Sequence, residues 1–128
     1  MKKIKYALLF SMMLLSGLSY GQSTPKFVYC QIMGWGRVDD LSQTAVRIEF
    51  GESMKFYEEN RMKDASGKKR SFPSLIDAVN FMAKQGWELK QVYTSKGIEP
   101  DRKNYYYYVL QKNVDELDDE TKKEFLKN

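Results

Sequence analysis

Histidine is absent from this chain of 128 residues, which limits the chemistry that the protein can perform. Histidine is the most frequent general acid or base in enzymes and the commonest metal ligand. Its absence excludes a Ser-His-Asp triad and a Cys-His pair. Cys30 is the single cysteine, so the usual zinc site built from cysteine and histidine is excluded as well. We therefore expect neither a metal ion nor a cofactor.

The shortage of cysteine also excludes an intramolecular disulfide, so the hydrophobic core must hold the fold together. Cys30 lies in the apolar stretch FVYCQIMGW, residues 27–35. Free cysteine is among the most buried residue types, and we predict that Cys30 is buried. A reactive thiol or an intermolecular link is the alternative for an odd cysteine.

Carboxylates remain as catalytic candidates, but their pattern is not specific. Glycosidase chemistry needs two carboxyl groups about 5 to 9.5 Å apart across a cleft. Glu49, Asp77 and Glu88 lie on or beside predicted regular elements, yet any chain with 17 acidic residues offers such pairs. The sequence therefore predicts a protein that is not an enzyme. A small carboxylate-dependent hydrolase is the less favoured alternative.

Long hydrophobic runs are missing, apart from one run of twelve residues near the N-terminus, residues 7–18. A membrane-spanning helix needs about 20 apolar residues, so this run is too short for an anchor. Three lysines precede the run, and Ser19 and Gly21 follow it at the −3 and −1 spacing of a signal-peptidase site. We predict a signal peptide over residues 1–21, one small domain over residues 22–128, and a secreted or periplasmic location.

Loss of the signal peptide changes how the charge is interpreted. The full chain has 21 basic and 17 acidic residues; three lysines and no acid leave with residues 1–21, so 18 basic and 17 acidic residues remain, a net charge of +1. Nucleic-acid binding needs a basic face, and we expect none. The basic cluster at residues 68–70 follows Ser66 and Gly67, and we interpret it as a charged turn tip. No cysteine stands where a lipoprotein needs one, so we expect no lipid anchor and no membrane insertion.

Two apolar stretches predict the first two strands. Residues 27–35 are apolar on both alternating sets, which is typical of a central strand. Residues 44–51, TAVRIEFG, alternate apolar and charged side chains, which predicts a strand with one buried face, antiparallel to the first. We predict a connection over residues 34–43. In the weakly patterned residues 52–70, we expect a turn at KDASGKKR, with MKFYE as a candidate short strand.

Residues 74–85 carry the clearest helical pattern. Ser74 is a capping residue, and Asp77 three positions later completes a variant of the capping box. Gly86 stands where a left-handed residue ends a helix, and Trp87 then closes the core. We interpret these four residues as a structural motif. The expected apolar face consists of Leu75, Ala78, Val79, Met82 and Ala83.

Two further strands are predicted over residues 87–94 and 105–112, with a polar loop between them. Residues 115–127 begin with acids and end with lysines, which complements a helix dipole and predicts a short C-terminal helix or tail. The predicted fold is therefore α+β: an antiparallel four-stranded sheet with one main helix on one face, in the order β-β-α-β-β.

Four consecutive tyrosines, residues 105–108, stand in the last predicted strand. Because the side chains of a strand alternate between its faces, they split into two pairs. We predict that Tyr105 and Tyr107 lie on the open face of the sheet as a candidate binding patch, while Tyr106 and Tyr108 face the helix with Leu110. The opposite assignment of the two pairs is the alternative. The residues expected beside the open pair are Glu88, Lys90 and Val92.

A resemblance is carried by residues 71–93, SFPSLIDAVNFMAKQGWELKQVY, and by the later strand YYYYVLQK. These segments resemble small exported bacterial proteins of unknown function. The shared pattern is F-x-S-x-x-D-A-x-N-x-M, then G-W-E, then a closing tyrosine-rich strand. The resemblance implies a common fold, and it brings no activity, catalytic residue or cofactor with it.

Binding is the function expected by elimination. We predict a protein-interaction module of the cell envelope that engages an unknown protein partner, or a second copy of itself, through a sheet face or edge. The alternative is an aromatic patch that binds a glycan or another ring-shaped ligand by stacking. Aromatic residues make up 14% of the chain, but core packing uses many of them in any small domain.

Export with cleavage after Gly21 is directly testable. We expect the exported protein to begin at Gln22, because small residues at −3 and −1 direct signal peptidase to that bond. Intact-mass spectrometry of the exported protein measures this start. Gly21→Leu, which places a bulky side chain at −1, should accumulate uncleaved precursor. Exported protein that retains Met1 would contradict the prediction.

Overall fold

Two pairs of strands, each followed by helices, make up the computed structural model, which describes residues 23–37, 40–97 and 103–127; the predicted signal peptide lies outside them. In chain order the elements are strands β1 (Phe27–Arg37) and β2 (Asp40–Glu49), a 3₁₀ helix (Glu52–Met54), helices α1 (Lys55–Arg61) and α2 (Leu75–Ala83), strands β3 (Glu88–Lys96) and β4 (Lys103–Asn113), a second 3₁₀ helix (Val114–Glu116) and helix α3 (Asp119–Leu126). Within the described residues, no helix has the length and apolar character needed to span a membrane.

The four strands form one antiparallel sheet in the order β2-β1-β4-β3. β1 pairs with β4 from Phe27, opposite Asn113, to Arg37, opposite Lys103, and it pairs with β2 on its other side. The predictions of an α+β fold, a four-stranded antiparallel sheet and a central first strand are confirmed. β2 and β3 are the two outer strands.

The predicted connection over residues 34–43 was wrong. β1 continues to Arg37, and β2 begins at Asp40, directly opposite it. The glycine that suggested a loop serves a packing role: a Cβ on Gly34 would lie 2.7 Å from the Leu75 side chain. Gly34 therefore lets α2 approach β1 closely, and the strand continues through it.

The candidate strand at MKFYE was also wrong, because this segment is helical. Met54, Tyr57 and Met62 are buried, and their spacing matches one face of a helix rather than the alternation of a strand. α1 contacts α3, which confirms the predicted short C-terminal helix, so α1 is the helix that the sequence analysis did not predict. The turn at KDASGKKR is confirmed: the Asp64 carboxylate accepts hydrogen bonds from the backbone N–H groups of Ser66 and Lys68.

α2 begins and ends close to the predicted positions. The Ser74 hydroxyl accepts the Asp77 backbone N–H at 3.1 Å and donates to the Asp77 carboxylate at 2.7 Å. Gly86 has a φ of 85°, the left-handed conformation that glycine adopts without strain. Ala83, which was expected on the apolar face, is exposed because it lies about 100° around the helix from the buried Met82.

The hydrophobic core lies between α2 and one face of the sheet. Even-numbered side chains of β1 point into it, among them Cys30 at 4% exposure and Ile32 at 0%. Leu110 enters the core from β4, and Ile48 enters it from β2. The prediction that Cys30 is buried is confirmed. Burial raises the pKa of its thiol far above the ordinary value, so this cysteine is a core residue and a poor nucleophile.

The close contact between Gly34 and α2 predicts a specific stability loss. Gly34→Ala should lower the free energy of unfolding by about 1–3 kcal/mol, because the added methyl group overpacks the core against Leu75. Urea denaturation measures the change. In the double variant that also carries Leu75→Ala, the loss of unfolding free energy should be smaller than the sum of the two single-variant losses. The shorter side chain at position 75 leaves room for the added methyl group. Full stability of Gly34→Ala would contradict this packing.

Candidate functional site

The sheet face opposite the core, here called the open face, carries most of the exposed aromatic surface of the strands. The odd-numbered residues of β1 point toward it, and none of them belongs to the core cluster. Cross-strand pairing sets Met33 and Tyr93 on either side of Tyr107, and Trp35 beside Tyr105. Tyr29 is 53% exposed on the same face. The open face therefore carries an aromatic cluster across β1, β4 and β3, and the row of Gln31, Val109 and Gln91 separates this cluster from Tyr29.

Two tyrosines at the centre of this face are held in a fixed arrangement. The rings of Tyr93 and Tyr107 stack with centroids 4.7 Å apart and planes inclined by 12°. The Gln31 side-chain amide donates to the Tyr93 hydroxyl at 2.6 Å, reaching across β4 from β1. The stacked rings and the cross-strand hydrogen bond restrict the rotamers of Gln31, Tyr93 and Tyr107.

The structure places the predicted patch residues only partly together. Tyr105 and Tyr107 lie on the open face, whereas Tyr108 packs against the core on the other face. Glu88 is on the open face but opposite Gln111, four residues along β4 from Tyr107. Lys90 lies in a register shift of β3. The expectation that these two β3 residues adjoin the tyrosines was wrong, because the sequence does not reveal the strand register.

Val92 also differs from its expected place. It pairs with Tyr108 and therefore lies on the core side of the sheet. The residues that do adjoin the tyrosine pair are Tyr93 and Ser95 on β3, and Met33 and Trp35 on β1. The sequence of β1 indicates that Met33 and Trp35 lie on the open face, because both of its alternating sets of side chains are apolar. The place of Tyr93 depends on the register shift and has no such signal.

The helix-to-strand motif is built into the core rather than into the open face. Trp87 is buried against Phe50 and Tyr57, with ring centroids 5.9 and 5.7 Å away. The Trp87 indole N–H donates to the Tyr57 hydroxyl at 2.8 Å, and that hydroxyl donates to the Gln85 side-chain oxygen at 2.9 Å. Burial raises the pKa of Tyr57, which keeps its hydroxyl protonated and able to donate.

A polar cleft of about 220 Å³ lies where this hydrogen-bonded chain reaches the surface. The Lys112 ammonium group donates to the Gln85 backbone carbonyl at 2.6 Å, and desolvation lowers the pKa of Lys112 while Glu116 opposes that shift. Asp118 also lines the cleft. Desolvation tends to raise the pKa of Asp118, but hydrogen bonds from Thr121 outweigh it and hold the pKa below its ordinary value.

The carboxylates considered for catalysis do not face one another. Glu49 ends β2 and Glu88 begins β3, and these are the outer strands of the sheet. Three strand spacings separate outer strands by about 14 Å, beyond the separation that glycoside hydrolysis uses. Asp77 is engaged in capping α2. Among the described residues, no group of three or more acids or cysteines is arranged to hold a metal ion.

Comparison of the sequence with models of known protein families and with curated proteins finds no match. The resemblance to small exported bacterial proteins therefore stays a prediction.

Two tyrosine substitutions separate the core network from the open face. Tyr57→Phe should lower the free energy of unfolding by about 1–3 kcal/mol, because it leaves the Trp87 indole N–H and the Gln85 oxygen without a partner. Tyr93→Phe removes only an exposed hydrogen bond and should cost less than about 0.5 kcal/mol. Chemical denaturation measures both. Equal losses would contradict the assignment of one tyrosine to the core and the other to a surface.

Proposed function

We propose that the protein is a non-enzymatic interaction module that acts outside the cytoplasm and binds another protein surface through its open face. The observation that carries the proposal is the aromatic surface formed by Tyr29, Tyr93 and Tyr107 on the side of the sheet away from the core. Tyrosine, tryptophan and methionine are enriched at protein interfaces, and all three occur on this face.

The order within this surface supports protein binding. Tyrosine presents a large contact area and loses little side-chain entropy on binding. The stack of Tyr93 on Tyr107, and the hydrogen bond from Gln31, fix part of the surface in advance. Preorganisation of this kind lowers the entropic cost of association.

Charge distribution makes a second copy of the chain the first partner to test. Exposed charges of both signs, Arg47 and Glu49, occupy β2 at the edge of the open face, and Glu88 lies at the opposite edge. The aromatic centre between them is uncharged. A two-fold axis pairs one surface with itself, and a surface of mixed rim charges avoids the like-charge repulsion that a single-sign rim would create.

Glycan stacking is the competing proposal. A sugar ring needs the flat face of an aromatic side chain, and Tyr93 and Tyr107 each use one ring face on the other. Tyr29 is more exposed, but it lies four residues along β1 from Met33, which adjoins the stacked rings. This geometry favours a protein partner over a glycan.

Self-association through the open face is tested by sedimentation equilibrium of the chain lacking residues 1–21. We expect the wild-type chain to form dimers, and we expect Tyr29→Lys and Tyr93→Lys to shift it toward monomer, because each places a charge in the aromatic surface. Ile76→Lys is the matched control, since Ile76 is 58% exposed on α2, away from the open face. Circular dichroism verifies that each variant is folded.

Two results would count against this proposal. The proposal of an interaction module would be contradicted if the wild-type chain stayed monomeric and also captured no discrete protein when crosslinked in its native cell. If Ile76→Lys lost as much dimer as Tyr29→Lys and Tyr93→Lys, the open face would not be the contact surface. In the same series, a polysaccharide that retards the wild-type chain in affinity electrophoresis, but not folded Tyr107→Ala, would favour the glycan alternative.

A further inference from the structure

The Gln85 side-chain amide has an orientation that its neighbours determine. An indole N–H can only donate, so the Tyr57 oxygen accepts from Trp87 and must send its own proton elsewhere. That proton goes to Gln85, and the atom of Gln85 that receives it is therefore the oxygen. The amide nitrogen then faces away from Tyr57 with two hydrogens to donate.

The Gln85 amide nitrogen is buried and finds no hydrogen-bond partner among the described residues. Leaving a buried donor without an acceptor is costly, and such groups are rare in folded proteins. Gln85 lines the polar cleft described above, and its amide nitrogen is covered by neighbouring atoms, so an acceptor bound in the cleft reaches the nitrogen through a small rotation of the side chains around it.

Three cationic and two anionic side chains line the same cleft. Arg61, Lys84 and Lys112 line it, together with Glu116 and Asp118. The Asp118 oxygens already accept from the backbone N–H and the hydroxyl of Thr121, and one of them lies 3.9 Å from the Arg61 guanidinium. Glu116 is then the remaining carboxylate, against three cationic side chains and the Gln85 amide, so the cleft has more donors than free acceptors.

We propose that this cleft is a binding site for a small oxyanion, a carboxylate or phosphate group, which accepts from the Gln85 amide and is held by Lys112 and Lys84. The inference is independent of the open face, because the cleft is formed by α1, the end of α2, the core side of β4 and the start of α3. Donors around a partly enclosed pocket form charge-assisted hydrogen bonds with an anion, which are stronger than bonds between neutral groups. A volume of about 220 Å³ accommodates a group of this size.

The first experiment titrates the wild-type chain with sodium acetate and, separately, with sodium phosphate, while NMR follows the Gln85 side-chain amide. Sodium chloride at matched ionic strength is the reference. We expect the amide resonances to shift saturably with at least one oxyanion and not with chloride. Acetate and phosphate arms distinguish a carboxylate ligand from a phosphate ligand.

Substitution of Gln85 provides the matched test. Gln85→Glu keeps the oxygen that accepts from Tyr57 but replaces the amide donor with a carboxylate oxygen, so the side chain itself supplies the oxyanion. We expect oxyanion affinity to fall about tenfold or more. The melting temperature of this variant should no longer rise with oxyanion concentration, as the wild-type value should. Lys84→Ala, at an exposed residue, should weaken binding without unfolding the domain.

Glu116→Gln is the control that tests whether the Glu116 carboxylate, rather than an external oxyanion, accepts the hydrogen bond from the Gln85 amide. If the Gln85 amide resonances respond to this substitution but not to either oxyanion, Glu116 is the acceptor and the proposal is overturned. Resonances that are unchanged by acetate and phosphate, or that move equally in chloride, overturn it as well. Unaltered oxyanion affinity in Gln85→Glu has the same consequence.

Discussion

The pairing of β1 with β4 is the constraint on which the rest of the structure depends. Eleven residues of β1 lie opposite eleven residues of β4 without a register shift, from Phe27 and Asn113 to Arg37 and Lys103. Because side chains alternate in a strand, this one register assigns every residue of the two central strands to the core or to the open face. A slip of one residue would bury Tyr107 and expose Leu110.

Two different kinds of order result on the two sides of the sheet. The core side is held by apolar packing and by one buried hydrogen-bonded chain through Trp87, Tyr57 and Gln85. The open face is held by a stacked tyrosine pair and a hydrogen bond at the surface. Losing a hydrogen-bond partner lowers the free energy of unfolding more in the buried core network than on the exposed open face. The core network therefore supports the fold, which leaves the tyrosines of the open face available for contact with another molecule.

Sequence patterns predicted those features that depend on local rules. Alternation gave the strands and the two tyrosine pairs, and capping chemistry placed α2 between Ser74 and Gly86. The misassigned parts depend on tertiary contacts. Gly34 looks like a loop residue until α2 is placed over it, and the segment around Tyr57 has a helical period that is visible only once its buried residues are known.

The candidate sites follow the same division. Periodicity was enough to put Tyr105 and Tyr107 on one face, but the register shift near Lys90 decides that Tyr93, rather than Glu88, lies beside them. Nothing in the sequence marks Gln85, because its importance comes from residues 28 positions before it and 27 after it that meet at the cleft. Interactions of such separation are set by topology, which local patterns do not encode.

Hydroxyl-radical footprinting of the chain lacking residues 1–21, at low and at high concentration, measures directly whether the open face is a contact surface. Modification of Tyr29, Met33 and Tyr93 should fall as concentration rises, while that of Ile76 and Leu126 on the helical layer stays constant. Equal modification of the open-face residues at both concentrations, or protection confined to the helical layer, would contradict the account.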